Sequence, residues 1–217
     1  MKKIDFIKAL MKNPGSVGAL IPSSKFLAEK MAELSDLKDA RCVIEFGAGT
    51  GVITKKILSE MPLNSILFCF EIDKDLVKIL NKNIKDDRVR IIHDSAENFP
   101  KYIPESCSEC VDRIISGLPL ALLSKEVRIR ILKLSEKHLK DDGIFVQFQY
   151  SLANLSDFKK LFPSITINFE LLNIPPAFIY VCKKILRASK KKIEFNIPGD
   201  VELSRKLALE KISNDEN

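Results

Sequence analysis

Three glycines at alternate positions, Gly47, Gly49 and Gly51, follow the apolar run Val43-Ile44-Glu45-Phe46. Without a Cβ, such a turn lets the backbone approach a bound molecule closely. A helix opening directly after it points unpaired N–H groups and the positive end of its dipole at the same place. Glu71 ends the next apolar run, twenty residues past Gly51. A carboxylate there can accept hydrogen bonds from both hydroxyls of a ribose. A third acidic residue, Asp94, follows the run after that, in His93-Asp94-Ser95-Ala96. Taken singly, each has an ordinary reading: a plain turn, a solvated strand end, a cap on the next turn. Three such features at successive strand C-termini, where open α/β sheets bind ligands, describe a nucleoside site instead. A nicotinamide dinucleotide does not fit, because the third glycine of GxGxxG would fall at Val52.

The elements that must position these residues alternate from residue 40 to about 184, as repeated βα units on a largely parallel sheet. Strands are expected at 41–46, 65–71, 88–93, 111–116 and 144–150. Helices are expected from the glycine turn to Glu60, from Asp73 to about Ile84 and over 125–139, with Asp142-Gly143 turning the last of these into the fifth strand. After a short helix at 154–161, the runs 165–172 and 177–182 are joined by Asn173-Ile174-Pro175-Pro176. That link is too short for a crossover helix, so the two runs pair antiparallel. The expected fold is α/β and Rossmann-like: a mostly parallel seven-stranded sheet with an antiparallel terminal hairpin and helices on both faces. An N-terminal helical segment occupies 1–36, the ligand-binding domain 37–186, and a basic, then polar, partly ordered tail 187–217.

Hydrophobic residues make up 46% of the 217, enough for a real core. No apolar run approaches the ~20 residues of a membrane span. Residues 1–13 are too interrupted by lysines to hold a signal-peptide core. The expected location is the cytoplasm, free or peripheral on the inner face of the membrane. Five scattered cysteines, Cys42, Cys69, Cys107, Cys110 and Cys182, read as reduced thiols. Cys107 and Cys110 have CxxC spacing but no second pair, so no metal site is expected. A net charge of +6 suits a polyanion, and nucleic acid and anionic lipid fit it equally well. Oligomeric state is not legible.

The pattern Glu45-x-Gly47-x-Gly49-x-Gly51 resembles motif I of class I S-adenosylmethionine-dependent methyltransferases, whose sheet also ends in an antiparallel hairpin. That cofactor has no pyrophosphate, so its amino-acid end would lie against the glycine turn. The resemblance implies a cofactor set of Glu45, Gly47, Gly49, Gly51, Glu71, Ile72, Asp94, Ser95, Ala96 and Ser116, with Asp94 accepting the adenine amino group and S-adenosyl-L-homocysteine as product. Within this class, ribosomal RNA adenine dimethyltransferases carry Asn-Leu/Ile-Pro-Tyr/Phe after the fourth strand, an amide for the target amine and a ring to stack on the base. Here Ser116-Gly117-Leu118-Pro119-Leu120 reads as Ser116 replacing the amide and Leu120 the ring. Over residues 13–183 the chain is similar to bacterial phospholipid N-methyltransferases, relatives of that group. Residues 14–24, the Glu45 turn, 116–120, 147–150 and 173–177 carry the likeness. It implies methylation of a phospholipid amine, of phosphatidylethanolamine type, on an anionic membrane surface. An adenine N6-methyltransferase of ribosomal RNA and an enzyme for a soluble small-molecule amine are the alternatives.

Methyl transfer from a sulfonium is an in-line displacement, and positioning alone can supply ~7–11 kcal/mol. The incoming amine must first lose its proton, yet no general base stands out; His93 and His138 read as structural. The catalytic candidates are Ser116, which would orient the amine through its hydroxyl or the neighbouring carbonyls, and Tyr150. Tyr150 would either face an ammonium by cation–π attraction or fill the core beneath the hairpin. In residues 1–12, Ile4, Ile7, Leu10 and Met11 fall at helical spacing beside Lys2, Lys3, Lys8 and Lys12. Such a face lies in a lipid interface or docks on the domain's own core. Lys183, Lys184, Arg187 and Lys190–Lys192 form a second basic run, for phosphate contact or as a solvated face.

Overall fold

A computed structural model describes residues 20–103, 110–173, 176–184 and 192–196. The amphipathic segment 1–12, the stretch 14–19, Cys107, Arg187 and Lys190–Lys191 lie outside the described residues.

Strands β1 (Cys42–Phe46), β2 (Ile66–Phe70) and β4 (Val111–Ser116) are almost wholly buried. Their continuous apolar character follows from cover on both faces. Alternate side chains enter two separate cores. Ile44, Phe46, Phe70 and Ile114 share one with Phe99, Ile131 and Phe158. Val43, Leu67, Cys69 and Ile115 share the other with Leu27, Met31, Ile57 and Leu80. The second core lies beneath helices α1 (Leu20–Leu34), α2 (Val52–Glu60) and α3 (Lys74–Asn83). The first lies beneath a 3₁₀ segment, Ala96–Tyr102, with α4 (Lys125–His138) and α5 (Leu155–Leu161). Caps set the helix starts: Asp73 accepts from the N–H groups of Asp75 and Leu76, and Ser124 from that of Val127.

With β3 (Val89–Ile92), β5 (Leu139–Gln149), β6 (Ser164–Glu170), β7 (Ala177–Lys183) and β8 (Lys192–Asn196), the sheet has eight strands in the order β3-β2-β1-β4-β5-β7-β6-β8. β7 runs antiparallel between β5 and β6, and the other pairings are parallel. All seven expected strands are present. The eighth, β8, falls within residues 187–217 and adds an exposed edge strand beside β6.

Asp142-Gly143 is not the turn between helix and strand that its composition suggests. β5 starts immediately after α4, and the pair sits in a register shift: Leu139 lies opposite Val111, while Ile144 lies opposite Arg113. Asp142 has φ 63°, and the end of β7 supplies the bonds that keep the strand going. Asp142 N–H donates to Lys184 O at 2.9 Å and Lys184 N–H to Gly143 O at 3.0 Å.

Two arginines tie the layers. Arg113 Nε donates to Ser35 O at 2.6 Å and Asp36 O at 3.0 Å, which fixes the C-terminal end of α1 at the start of the strands. Arg128 pairs with Asp157 at 2.9 Å and also donates to Leu120 O and Leu123 O. Both partners are buried, so one guanidinium ties α4 to α5 and to the segment after β4.

Candidate active site

Strand order reverses between β1 and β4, which opens a crevice outside their C-terminal ends. The glycine turn fills its base. Gly47 N–H donates to Phe70 O and Gly117 N–H to Phe46 O, both at 2.8 Å, so the turn is laced to β2 on one side and to the chain after β4 on the other. Gly47, Gly49 and Gly51 all have positive φ, at 71°, 57° and 90°. A Cβ on Gly51 would lie 2.9 Å from Leu80 Cδ1, so backbone conformation and space both require glycine there.

Glu71, just past the end of β2, is buried. Its Oε2 accepts from Gly49 N–H and its Oε1 from Asp73 N–H, each at 2.9 Å. A carboxylate has about four acceptor positions, so two remain for a diol. Ile72 follows, 70% exposed, with its carbonyl oxygen 3.1 Å from His93 Nε2. The imidazole thus orders the loop beside the site. Asp94 accepts from Ser95 N–H, Asn98 Nδ2 and the Tyr102 hydroxyl. The Asn98 bond first, then those from Tyr102 and Ser95, holds its carboxyl below the usual range. Ser95 caps the 3₁₀ segment, and Ala96 is buried beneath it.

Glu45 is the unusual group. Alternation along β1 turns it toward α2, where Oε2 accepts from Thr54 Oγ1 at 2.6 Å and Cys69 Sγ at 3.3 Å. Oε1 is buried and has no hydrogen-bond partner among the described residues. Burial pushes the carboxyl up to about 7; the Thr54 and Cys69 bonds oppose the rise and the Glu71 charge adds to it. A buried acceptor left open is costly, and an ammonium or N–H group would satisfy it.

On the acceptor side, Ser116 is fully buried at the end of β4, its hydroxyl 3.4 Å from the Leu118 N–H. Counted back from Pro119, the first place of the four-residue Asn-Leu/Ile-Pro-Tyr/Phe pattern falls on Gly117 rather than Ser116. A Cβ on Gly117 would lie 3.0 Å from Gly47 O, because the two turns are packed backbone to backbone. Leu120, at the place of the ring, is fully buried in the core beneath α4. Tyr150, 43% exposed just past β5, packs edge-on against Phe148 and its phenol is hydrogen-bonded to Asn173. Burial raises that phenol's pKa, and the Asn173 bond opposes the rise.

The glycines, Glu71 and Glu45 are therefore brought together, with Asp94 and Ile72 on the adjoining strand end and Tyr150 on the opposite rim. Sequence reasoning missed Thr54 and Cys69, which hold Glu45, and Tyr102, which holds Asp94. It also missed a role for Gln147, whose Nε2 donates to Leu118 O at 2.9 Å and Phe148 O at 2.6 Å. Thr54, three residues past Gly51, and Gln147, in the 147–150 stretch, carried the only usable signal. His138 is structural: its Nδ1 lies 2.9 Å from Leu134 O and its ring packs on Phe99. The glycine cradle, the spare acceptors of Glu71 and the open Oε1 of Glu45 fit a ribose-bearing molecule with a cationic amino-acid end, as S-adenosylmethionine has. Among the described residues no group of three or more His, Cys, Asp or Glu could hold a metal ion.

Comparison with known proteins agrees with this geometry. Residues 13–167 match the family model of the methyltransferase small domain. An ornithine lipid N-methyltransferase of Singulisphaera acidiphila is 25% identical over 182 residues, 83% of this chain and 95% of that protein. A ribosomal RNA small subunit methyltransferase A of Mesomycoplasma hyopneumoniae is 34% identical over 128 residues, 59% of this chain, which spans only 44% of that protein. Among solved structures, a precorrin-6y C5,15-methyltransferase of Geobacter metallireducens superposes with a TM-score of 0.60 at 16% identity, over 73% of this chain and 88% of that one. At that identity the likeness concerns the fold alone.

Proposed function

The chain belongs to the methyltransferase small-domain family and is an S-adenosylmethionine-dependent methyltransferase, and from that premise we propose that it methylates the amine headgroup of a membrane lipid, a phospholipid of phosphatidylethanolamine type. One observation carries the choice of acceptor. The segments leaving the C-terminal ends of β4, β5 and β6 are 117–124, 150–154 and 171–176, and not one of the chain's 35 Lys and Arg falls in them. Binding of nucleic acid rests largely on cations at phosphates, and base recognition in the related RNA enzymes rests on a ring where this chain buries Leu120. A lipid amine needs neither. The N-methylation of a lipid named for the Singulisphaera relative supports the same reading.

Bound S-adenosylmethionine supplies the electrophilic methyl group. The chain's part is to hold the amine in line with it and to keep that amine neutral. With no side chain at position 117, the amine's N–H groups are oriented by the carbonyls that Ser116 and Gln147 fix in place. The Tyr150 ring faces the ammonium that results from the transfer. The proton lost by the incoming amine passes to water. No helix among the described residues is long and apolar enough to cross a membrane.

The test is methyl transfer from radiolabelled cofactor, run side by side on phosphatidylethanolamine vesicles, structured ribosomal RNA and phosphoethanolamine in solution. Label is expected in the lipid. Label in N6-methyladenine, or in the soluble amine alone, overturns the proposal.

A further inference from the structure

Leu171 and Leu172 are 53% and 63% exposed, on the turn between β6 and β7. Position in the sheet brings them to the mouth of the site. β5 and β6 both pair antiparallel with β7, so both end where β1 ends. Gln149 of β5 and Phe169 of β6 lie opposite the same residue, Phe178, which puts the two strand ends level. Tyr150 is therefore at the same end of the sheet as the leucines, with β7 between their strands.

The turn is also braced. Glu170 Oε1 accepts from Leu172 N–H at 2.9 Å, and Asn173, buried, is bonded to the Tyr150 phenol. Two leucines held outward by a braced turn lose less freedom on entering an apolar phase than they would on a loose loop. We propose that Leu171 and Leu172 form a wedge that enters the acyl layer of a lipid surface and seats the acceptor mouth at headgroup level. This rests on the lipid acceptor reading and adds the element that docks.

Chemistry on the page selects the occupant. The turn's sequence, 170–176, holds no lysine or arginine and joins two exposed leucines to the carboxylate of Glu170. Nucleic acid finds no cation there to bind, whereas acyl chains match the leucines and a headgroup ammonium can meet the Glu170 carboxylate. Docking through this turn should therefore resist salt, in contrast to attachment through lysines alone.

The chain contains no tryptophan, so Leu172→Trp places a single reporter at the tip. With the full-length variant and phosphatidylethanolamine–phosphatidylglycerol vesicles, its emission should shift to the blue and be quenched by lipids brominated on the acyl chain. Leu171→Asp combined with Leu172→Asp should weaken co-sedimentation with the same vesicles at least about tenfold. Binding of S-adenosylhomocysteine and the circular dichroism spectrum should stay unchanged. Emission that does not move while the protein pellets with vesicles, or a doubly substituted protein that pellets normally, overturns the wedge. So does failure of the unsubstituted protein to pellet. Methyl transfer is read separately: a wedge that inserts in a protein that labels no lipid sinks the acceptor reading and leaves the docking intact.

Discussion

Glu45→Gln tests the electrostatics of the cofactor turn most directly. Burial raises the Glu45 carboxyl from the ordinary 4.5 to about 7. A tenfold change in a proton's dissociation constant corresponds to about 1.4 kcal/mol between the two protonation states, so the folded chain carries a cost of about 3 kcal/mol when the group is ionised. Because the folded value is raised, the group's contribution is fully present below pH 4.5 and is lost as the pH climbs through 7. Glutamine keeps the shape and an acceptor for Thr54 but does not titrate. Urea unfolding of both proteins at pH 5 and pH 8 isolates this group, since the other titrating residues are shared. The substituted protein should gain about 2.5 kcal/mol relative to the original between the two pH values, since part of the loss is already complete at pH 5. Saturating S-adenosylhomocysteine should shrink that gain, because an ammonium beside Oε1 supplies a partner that this oxygen lacks among the described residues. Parallel stability profiles for the two proteins from pH 5 to pH 8 would refute the reasoning.

Three further outcomes follow from the geometry. Glu71→Gln should weaken S-adenosylhomocysteine binding at least about tenfold by calorimetry, since bonds to a charged acceptor are the stronger kind; unchanged affinity would remove Glu71 from the site. Gly51→Ala places a methyl 2.9 Å from Leu80 Cδ1 at φ 90°. It should cost about 1–3 kcal/mol in urea unfolding, and an unshifted midpoint would show that the turn can relax. Asp157→Ala leaves the buried Arg128 guanidinium without its carboxylate, and should destabilise by about 3–5 kcal/mol in the same assay.

The cofactor half was largely legible because its information is local. Glycine spacing marks the turn, and Glu71 and Asp94 follow strand ends that apolar runs announce. Asp73 and Ser124 begin helices at the expected places because a cap acts within three residues. The acceptor half depended on long-range pairing, and there the reading slipped. Asp142-Gly143 has turn composition, but bonds from Lys184 hold it within β5. Ser116 reads as orienting the amine through its hydroxyl or the neighbouring carbonyls; β4 buries its side chain, and the pattern counted back from Pro119 begins at Gly117. β8 could not be separated from a charged tail because all five of its residues are exposed and none alternates into a core. The Glu45–Thr54–Cys69 cluster joins three elements, and no spacing rule connects them.

β7 is paired with β6 over all seven of its residues and with β5 over six of them, and six of the seven are buried. A strand held in that way cannot slip, since a shift of one residue would exchange every side chain between the two cores. Residues gained or lost between Glu170 and Ala177 therefore cannot be absorbed by the sheet and must alter the outline of the mouth. The cofactor turn lies across the sheet, on β1 and β2, and is insulated from such changes. Length variation at this one hairpin is thus a route by which a lineage can exchange acceptors while the methyl-donor half of the molecule stays as it was.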